Sequence, residues 1–393
     1  MIIGIIKERK NPPDKRVPFS PEVCKKIQEK YPLKFKVESS DIRCFSDDDY
    51  RNAGIEVLND VSKCDILMGV KEVPLDFIVP NKPYLFFSHT IKKQAYNQKL
   101  LKKLVENGNQ MIDYECLVNE KGERILGFGK HAGIVGAYNA LLTYGLKNNL
   151  FVLKPAHLCV NYADLIANIK ELVLPPLKIV VTGKGRVGKG VWMLLHDAGL
   201  VEVKANQFIQ SDMNNPHFTI LEISDYYQKN NSFDLSDFYA NSASYSSTLE
   251  PYLAQADIYI SAHFWDGKAP ELFNQNTIGE KLQVIADVTC DIRGSVPTTL
   301  RASSISNPIY GVDKKTFTES DFKNDDALAV MAVDNLPCEL PADASHDFGL
   351  ALMEFVIPEL LKYNNSELIN RASICKNGAL TNKFAYLTDY LKS

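Results

Sequence analysis

The stretch Lys178-Ile-Val-Val-Thr-Gly-Lys-Gly-Arg-Val-Gly-Lys-Gly190 decides the fold. Ile179, Val180 and Val181 form a short β-branched run of the kind that makes a strand buried within a parallel sheet. Gly183, Gly185 and Gly188 follow at the G-x-G-x-x-G spacing, with Arg186 and Val187 between the last two, and Val191–Ala198 continues at helical apolar periodicity. In such a turn the first glycine permits the tight bend and the second leaves room for a pyrophosphate against the backbone. The third lets helix and strand pack closely, and the helix N-terminus offers free N–H groups to the anion. Spare glycines in an ordinary strand-to-helix turn would look the same in isolation. The strand before and the helix after make the run a dinucleotide fingerprint. Gly183, Gly185, Arg186, Val187 and Gly188 are therefore the expected cofactor contacts.

The fingerprint begins at residue 178 of 393, so a second folded region must precede it. Met1–Ile6, Phe35–Glu38, Ile66–Val70, Tyr84–Ser88 and Gln110–Asp113 read as strands. A turn is expected at Asn11-Pro-Pro-Asp14. Helices open at Ser20-Pro21, with serine as N-cap and proline at the first helical position, at Ser46 ahead of three aspartates, and over Gln94–Asn107. Repeated strand-then-helix order predicts a parallel, doubly wound sheet here too. Beyond the fingerprint, Asn206–Ser247 is polar and reads as a long connection with short elements. Ile258–Ser261, Val284–Val288, Ile309–Gly311 and Met331–Val333 read as further short strands, the last leading to Asp334. A final helix over Phe348–Tyr363 carries Pro358, which predicts a kink.

Functional groups in doubly wound sheets gather just beyond the carboxyl ends of the strands. Lys71, Glu72, His89 and Glu115 all fall there. Each alone is an ordinary solvated or capping residue; four at equivalent positions of one sheet mark a site. A second glycine cluster, Gly127–Gly136, has no apolar strand directly before it. It is expected to serve close helix packing between domains, not phosphate binding.

Bulk properties narrow the class. With 45% hydrophobic and 23% charged residues the composition is that of a globular protein. A formal net charge of −4, without a basic block, argues against nucleic acid or an anionic membrane as partner. Eight scattered cysteines without a C-x-x-C predict reduced thiols, not a disulfide framework or a metal site. Met1–Ile6 is too short for a signal peptide and no run reaches the length of a membrane span, so a cytoplasmic location is expected.

Several motifs resemble one family. Gly69-Val-Lys-Glu-Val-Pro74, Phe86-Phe-Ser-His-Thr-Ile-Lys-Lys-Gln94, Ile112-Asp-Tyr-Glu115 and Phe128-Gly-Lys-His-Ala-Gly-Ile-Val-Gly136 look like the saccharopine-forming lysine–2-oxoglutarate reductases and the related saccharopine dehydrogenases. Thr289-Cys-Asp-Ile-Arg-Gly-Ser295 and Val333-Asp-Asn-Leu-Pro-Cys-Glu-Leu-Pro341 extend the likeness over nearly the whole chain. Met1–Val57 is equally similar to alanine dehydrogenase and transhydrogenase, the wider superfamily.

The resemblance implies an α/β protein with two Rossmann-like doubly wound domains and an interdomain cleft. Residues 1–136, rejoined by 342–393, would form the substrate domain and 137–341 the dinucleotide-binding domain. It further implies reduction by NAD(P)H of the imine between lysine and 2-oxoglutarate, giving saccharopine, or the reverse. Lys71 and His89 would be the acid–base pair. Arg16, Lys92, Glu115 and Arg124 would line the substrate site, arginines pairing with carboxylates as bidentate forks, and Asp334 would lie near the nicotinamide or substrate. Such chemistry needs an amine deprotonated and a carbonyl oxygen protonated near neutral pH, which suits histidine and a lysine of lowered pKa.

The NAD or NADP preference stays open. Val201-Glu-Val-Lys-Ala-Asn206 offers no clear acid about 20 residues after the glycines to hold a ribose 2′-hydroxyl, and Lys204 leans the reading slightly to NADP. Two other readings stand beside the first: a dehydrogenase of alanine or an opine, and a nucleotide-sensing regulator without catalysis. The oligomeric state is not legible.

Overall fold

A computed structural model describes residues 1–11, 13–210, 213–362 and 365–392. The expected turn at Asn11–Asp14, the connection Asn206–Ser247 and the helix ending at Tyr363 thus each include residues outside the described ones: Pro12, Ser211 with Asp212, and Tyr363. The chain divides into two compact units, Met1–Phe128 with Pro341–Ser393, and Gly129–Leu340. The helix Gly129–Asn148 lies wholly in the second unit, whereas a boundary after residue 136 would cut it.

Among its described residues the first unit holds one sheet of eight strands. In spatial order these are Ala379–Leu380, Ser373–Lys376, Gln110–Asp113, Pro83–Phe86, Ile66–Met68, Ile2–Ile5, Lys34–Glu38 and Glu56–Leu58. The six from Gln110–Asp113 to Glu56–Leu58 run parallel, and the two C-terminal strands close one edge antiparallel. Helix Pro21–Lys30 starts where its capping residues place it: Ser20 Oγ accepts from the Val23 N–H at 3.4 Å. Ser46 and Asp49 exchange side-chain and backbone hydrogen bonds in a capping box ahead of Asp47–Asn52. The last long helix runs Pro341–Phe355 and breaks at Val356; Pro358 sits in the first turn of a new helix, Ile357–Leu361, where its missing N–H costs nothing.

Among its described residues the second unit holds a two-stranded pair, Tyr227–Gln228 with Ser246–Ser247, and a sheet of eight strands: Glu319–Ser320, Ile309–Asp313, Ala327–Met331, Val284–Asp287, Ile258–Ser261, Lys178–Thr182, His217–Leu221 and Val201–Glu202. Within that sheet all but the first two are parallel. The doubly wound α/β reading is borne out in both units, because strand order reverses beside Ile2–Ile5 in one and Lys178–Thr182 in the other. One reading needs correction. Within the supposed connection Asn206–Ser247 runs a fully buried strand, His217–Leu221, paired directly to the fingerprint strand. Its β-prone run Phe218-Thr-Ile-Leu221, shortly after Pro216, was the available signal.

The second glycine cluster serves helix packing, but inside one unit. A Cβ on Gly133 would lie 1.9 Å from the Val187 carbonyl oxygen, and one on Gly190 would lie 2.0 Å from that of Lys130. The helices Gly129–Asn148 and Arg186–Asp197 therefore touch backbone to backbone.

Candidate active site

In the first unit the strand order reverses between Ile2–Ile5 and Ile66–Met68, and the segments leaving their carboxyl ends bring the charged groups together. Glu8, 7% exposed, accepts the Val70 N–H at 2.6 Å and the Lys71 N–H at 3.0 Å. Burial, with the charge of Asp14 adding to it, pushes the Glu8 carboxyl up to about 8. Asp14 and Arg16 form a buried bidentate pair, Nε to Oδ1 at 3.0 Å and Nη2 to Oδ2 at 2.6 Å, and the guanidinium lies 4.2 Å from the Phe128 ring centre. Burial opposes ionisation of Asp14, yet the Arg16 charge outweighs it and holds the carboxyl well below the usual range. Lys71 is half-buried; burial first, and the nearby Arg16 charge second, lower its pKa.

The next two strand ends complete the cluster. Glu72 Oε1 lies 2.6 Å from His89 Nδ1, and Glu72 Oε2 accepts from Lys10 Nζ at 2.9 Å. Against the effect of burial, these two partners draw the Glu72 pKa down to about 2. His89 has a left-handed backbone, φ 53°, and its ring stacks on Phe87 at 6.3 Å between centroids. Asp113, buried and pushed up to about 6 by that burial, accepts the Ser88 N–H at 2.9 Å and the Glu115 N–H at 2.7 Å. It thereby ties the segment carrying His89 to the one carrying Glu115. Glu115 is buried, with Arg124 Nη1 at 3.2 Å and Lys92 Nζ at 3.5 Å from Oε1, while its Oε2 is buried without a hydrogen-bond partner among the described residues.

Lys71, His89, Lys92, Glu115, Arg124 and Arg16 thus all lie in the first unit. Two donors of the Arg16 fork, on Nε and Nη2, are engaged by Asp14. Lys10, Glu8, Asp14 and Asp113 were not singled out by the sequence. The signal for the first three was the charged run Lys7–Lys10 and Asp14 just after the first strand.

In the second unit the reversal lies between Lys178–Thr182 and Ile258–Ser261, and a pocket of about 700 Å³ opens beyond their ends. Gly183, Gly185, Arg186 and Val187 line it together with Glu222, Tyr226, Tyr239, His263 and Phe264. Gly183 takes φ +99°, and a Cβ on Gly188 would lie 1.8 Å from the Gly183 carbonyl oxygen. A Cβ on Gly185 would meet nothing within 4 Å. That open space above the N-terminus of Arg186–Asp197 fits a dinucleotide pyrophosphate. Buried His263 bridges Thr182 Oγ1 and Ser295 Oγ, each at 2.8 Å, and burial lowers its pKa to about 4, which leaves it neutral near pH 7.

An acid lies beside the pocket from another strand. Val201–Glu202 is an edge strand, and the strand beside the fingerprint is His217–Leu221. Glu222 directly follows that strand and lines the pocket, 2.8 Å from Lys184 Nζ. Lys204 is exposed and does not line the pocket. Asp334 stands exposed after Ala327–Met331 and is also outside the pocket lining. Among the described residues no helix is long and apolar enough to cross a membrane.

A doubly wound fold with a glycine-lined nucleotide turn defines the class. Residues 4–135 match the family model described as alanine dehydrogenase/PNT, N-terminal domain. L-alanine dehydrogenase has the same fold, with a TM-score of 0.67 and 19% identity over 100% of this chain and 99% of that one. In sequence the chain is 28% identical to α-aminoadipic semialdehyde synthase of Arabidopsis thaliana, over 100% of this chain and 42% of the relative. It is 27% identical to the saccharopine dehydrogenase (NAD(+), L-lysine-forming) of Emericella nidulans, over 91% of this chain and 90% of that one. The chain therefore spans less than half of the first relative and nearly all of the second. The resemblance to saccharopine dehydrogenases, within the alanine dehydrogenase and transhydrogenase superfamily, is borne out by these likenesses.

Proposed function

We propose that this chain is an NAD(P)-dependent oxidoreductase that forms or cleaves saccharopine, joining the ε-amine of lysine to the ketone of 2-oxoglutarate through an imine. The observation that carries the reading is the ordered pair of proton-transfer groups in the first unit. His89 is held by ionised Glu72, and Lys71 stands half-buried with a lowered pKa. Similarity to saccharopine dehydrogenases supplies the substrate class.

Glu72 on Nδ1 of His89 leaves Nε2 to exchange a proton with the carbonyl oxygen as it departs as water. Lys71 manages the proton of the amine. Its lowered pKa brings its neutral form closer to working pH, where a stronger base would stay protonated. Lys92 and Arg124 bind substrate carboxylates, and the buried Glu115 between them sets their orientation and receives an ammonium group. Arg16, paired with Asp14, sets the charge beside Lys71.

Gly183, Gly185, Arg186, Val187 and Gly188 hold the dinucleotide, and similarity to saccharopine dehydrogenases, not the pocket, assigns Asp334 to its nicotinamide or substrate end. A bound reduced nicotinamide supplies the hydride for the imine carbon. Glu222, at the end of the neighbouring strand and in the pocket lining, would accept a ribose hydroxyl and repel a 2′-phosphate. This turns the preference from NADPH to NADH.

The test is oxidation of NADH or NADPH with 2-oxoglutarate and a panel of amino acids. Lysine-dependent oxidation is expected, and Lys71→Met and His89→Gln should each lower turnover by about 10²–10⁴-fold with dinucleotide binding kept. Oxidation with pyruvate and ammonia but not with lysine would transfer the chain to the alanine dehydrogenase reading. Normal turnover in either variant would remove that residue from the chemistry.

A further inference from the structure

Glu8 touches no group assigned to substrate, yet the turn that carries Lys71 is built on it. It leaves the first strand at its carboxyl end, and its two oxygens take two successive backbone N–H groups across the point where the sheet reverses. Gly69 makes room for this contact: a Cβ there would lie 3.2 Å from Glu8 Oε1 and 3.0 Å from the Ile6 side chain. Among the described residues the Lys71 ammonium makes no hydrogen bond, so its aim depends on where its backbone is held.

We propose that Glu8 is a positioning residue for Lys71: its ionised carboxylate clamps the Val70 and Lys71 amides and so fixes the direction of the lysine side chain. The inference rests on the acid–base role proposed for Lys71, and Glu8 acts through that backbone, not by contact with substrate. Two converging N–H donors need two acceptors. A carboxylate supplies both, whereas a neutral carboxyl or a carboxamide turns a donor toward one of them. Asp14 and Arg16 face Glu8 from its own connecting segment, Lys71 from the opposing one, and Tyr114 from the segment after Gln110–Asp113. With its carboxyl near 8, the clamp should tighten as pH rises through that value.

The full chain with Glu8→Gln, a neutral mimic of the same shape, tests this. Assayed above pH 8, where Glu8 is ionised, turnover is expected to fall by about 10–100-fold with Michaelis constants and NADH affinity little changed, the cost of a misaimed catalytic group. In a Lys71→Met background the same change should add nothing. Carbon-13 methylation of the lysines, with the Lys71 signal assigned by its loss in Lys71→Met, gives a readout free of activity. That signal should move in Glu8→Gln and, in the unsubstituted protein, should respond to pH near 8. An unmoved Lys71 signal, or normal turnover in folded Glu8→Gln, overturns the clamp. Should Glu8→Gln fail to fold, Glu8→Asp decides, whose shorter carboxylate reaches the two amides poorly: an unmoved Lys71 signal in that variant overturns the clamp. Normal turnover in Lys71→Met would instead sink the assignment of Lys71 and leave the clamp to be judged by its signal.

Discussion

The three glycines of the dinucleotide turn differ in what a methyl group would do to each. At Gly188 it would run into the Gly183 carbonyl oxygen, and at Gly183 the backbone itself, φ +99°, excludes other residues at low cost. At Gly185 the backbone is ordinary, φ −70°, and the space is open. Gly185→Val should therefore fold with a nearly unchanged melting temperature and lose dinucleotide binding, whereas Gly188→Ala should lower the melting temperature itself. Calorimetric titration with NADH alongside thermal unfolding separates the two, and retained affinity in folded Gly185→Val would refute the cradle. The glycine spacing was legible in the sequence because it is a local pattern. The engagement of Arg16 by Asp14 was not, because two residues near in sequence can face apart unless the loop between them is folded.

At the scale of elements, the order of strands sets which acid lies beside the nucleotide pocket. A strand taken as part of a polar connection, His217–Leu221, displaces Val201–Glu202 from the place beside the fingerprint strand and brings Glu222 to the pocket in its stead. Glu222→Gln should weaken NADH binding and leave or improve NADPH binding, so the ratio of the two dissociation constants should shift toward NADPH. A shift of about tenfold corresponds to 1.4 kcal/mol, the scale of one hydrogen bond to a charged group. An unchanged ratio would take Glu222 out of ribose recognition. The helix pair Gly129–Asn148 and Arg186–Asp197 belongs to the same scale. Its glycines were visible in the sequence, but the partner they serve was not, since small residues mark a close approach without naming what approaches.

Across the whole molecule, buried carboxyls make stability depend on pH in a way that surface charges would not. Burial pushes Glu8 up to about 8 and Glu339, which accepts from Asn139 at 2.8 Å, up to about 7. Between their ordinary value of 4.5 and these raised ones the folded chain binds more protons than the unfolded chain, so each group's contribution falls as pH rises. Glu72, drawn down to about 2, acts in the opposite sense and only in acid, where its contribution is lost below 4.5. His263, held near 4, adds stability as pH rises toward its ordinary 6.5. Comparing variants isolates one group: the melting temperature of Glu8→Gln should gain on that of the unsubstituted chain as pH rises from about 5 to 8. A constant difference across that range would mean that Glu8 titrates as an exposed carboxyl.

The sequence by itself determined much of the local pattern: the strand–glycine–helix fingerprint, the alternation of strands and helices, and the places of Lys71, His89 and Glu115 just past strand ends. These signals are read between near neighbours in the chain, through the strand and helix periods and the conformations open to glycine and proline. Tertiary structure alone decided which partners those residues meet. Glu8 reaches Val70 across 62 positions, and Glu339 meets Asn139 across 200. Each such pairing follows from which strand lies beside which and from how far burial strips a carboxyl of water. Neither quantity is written in any local stretch, because both are set by the whole sheet closing at once.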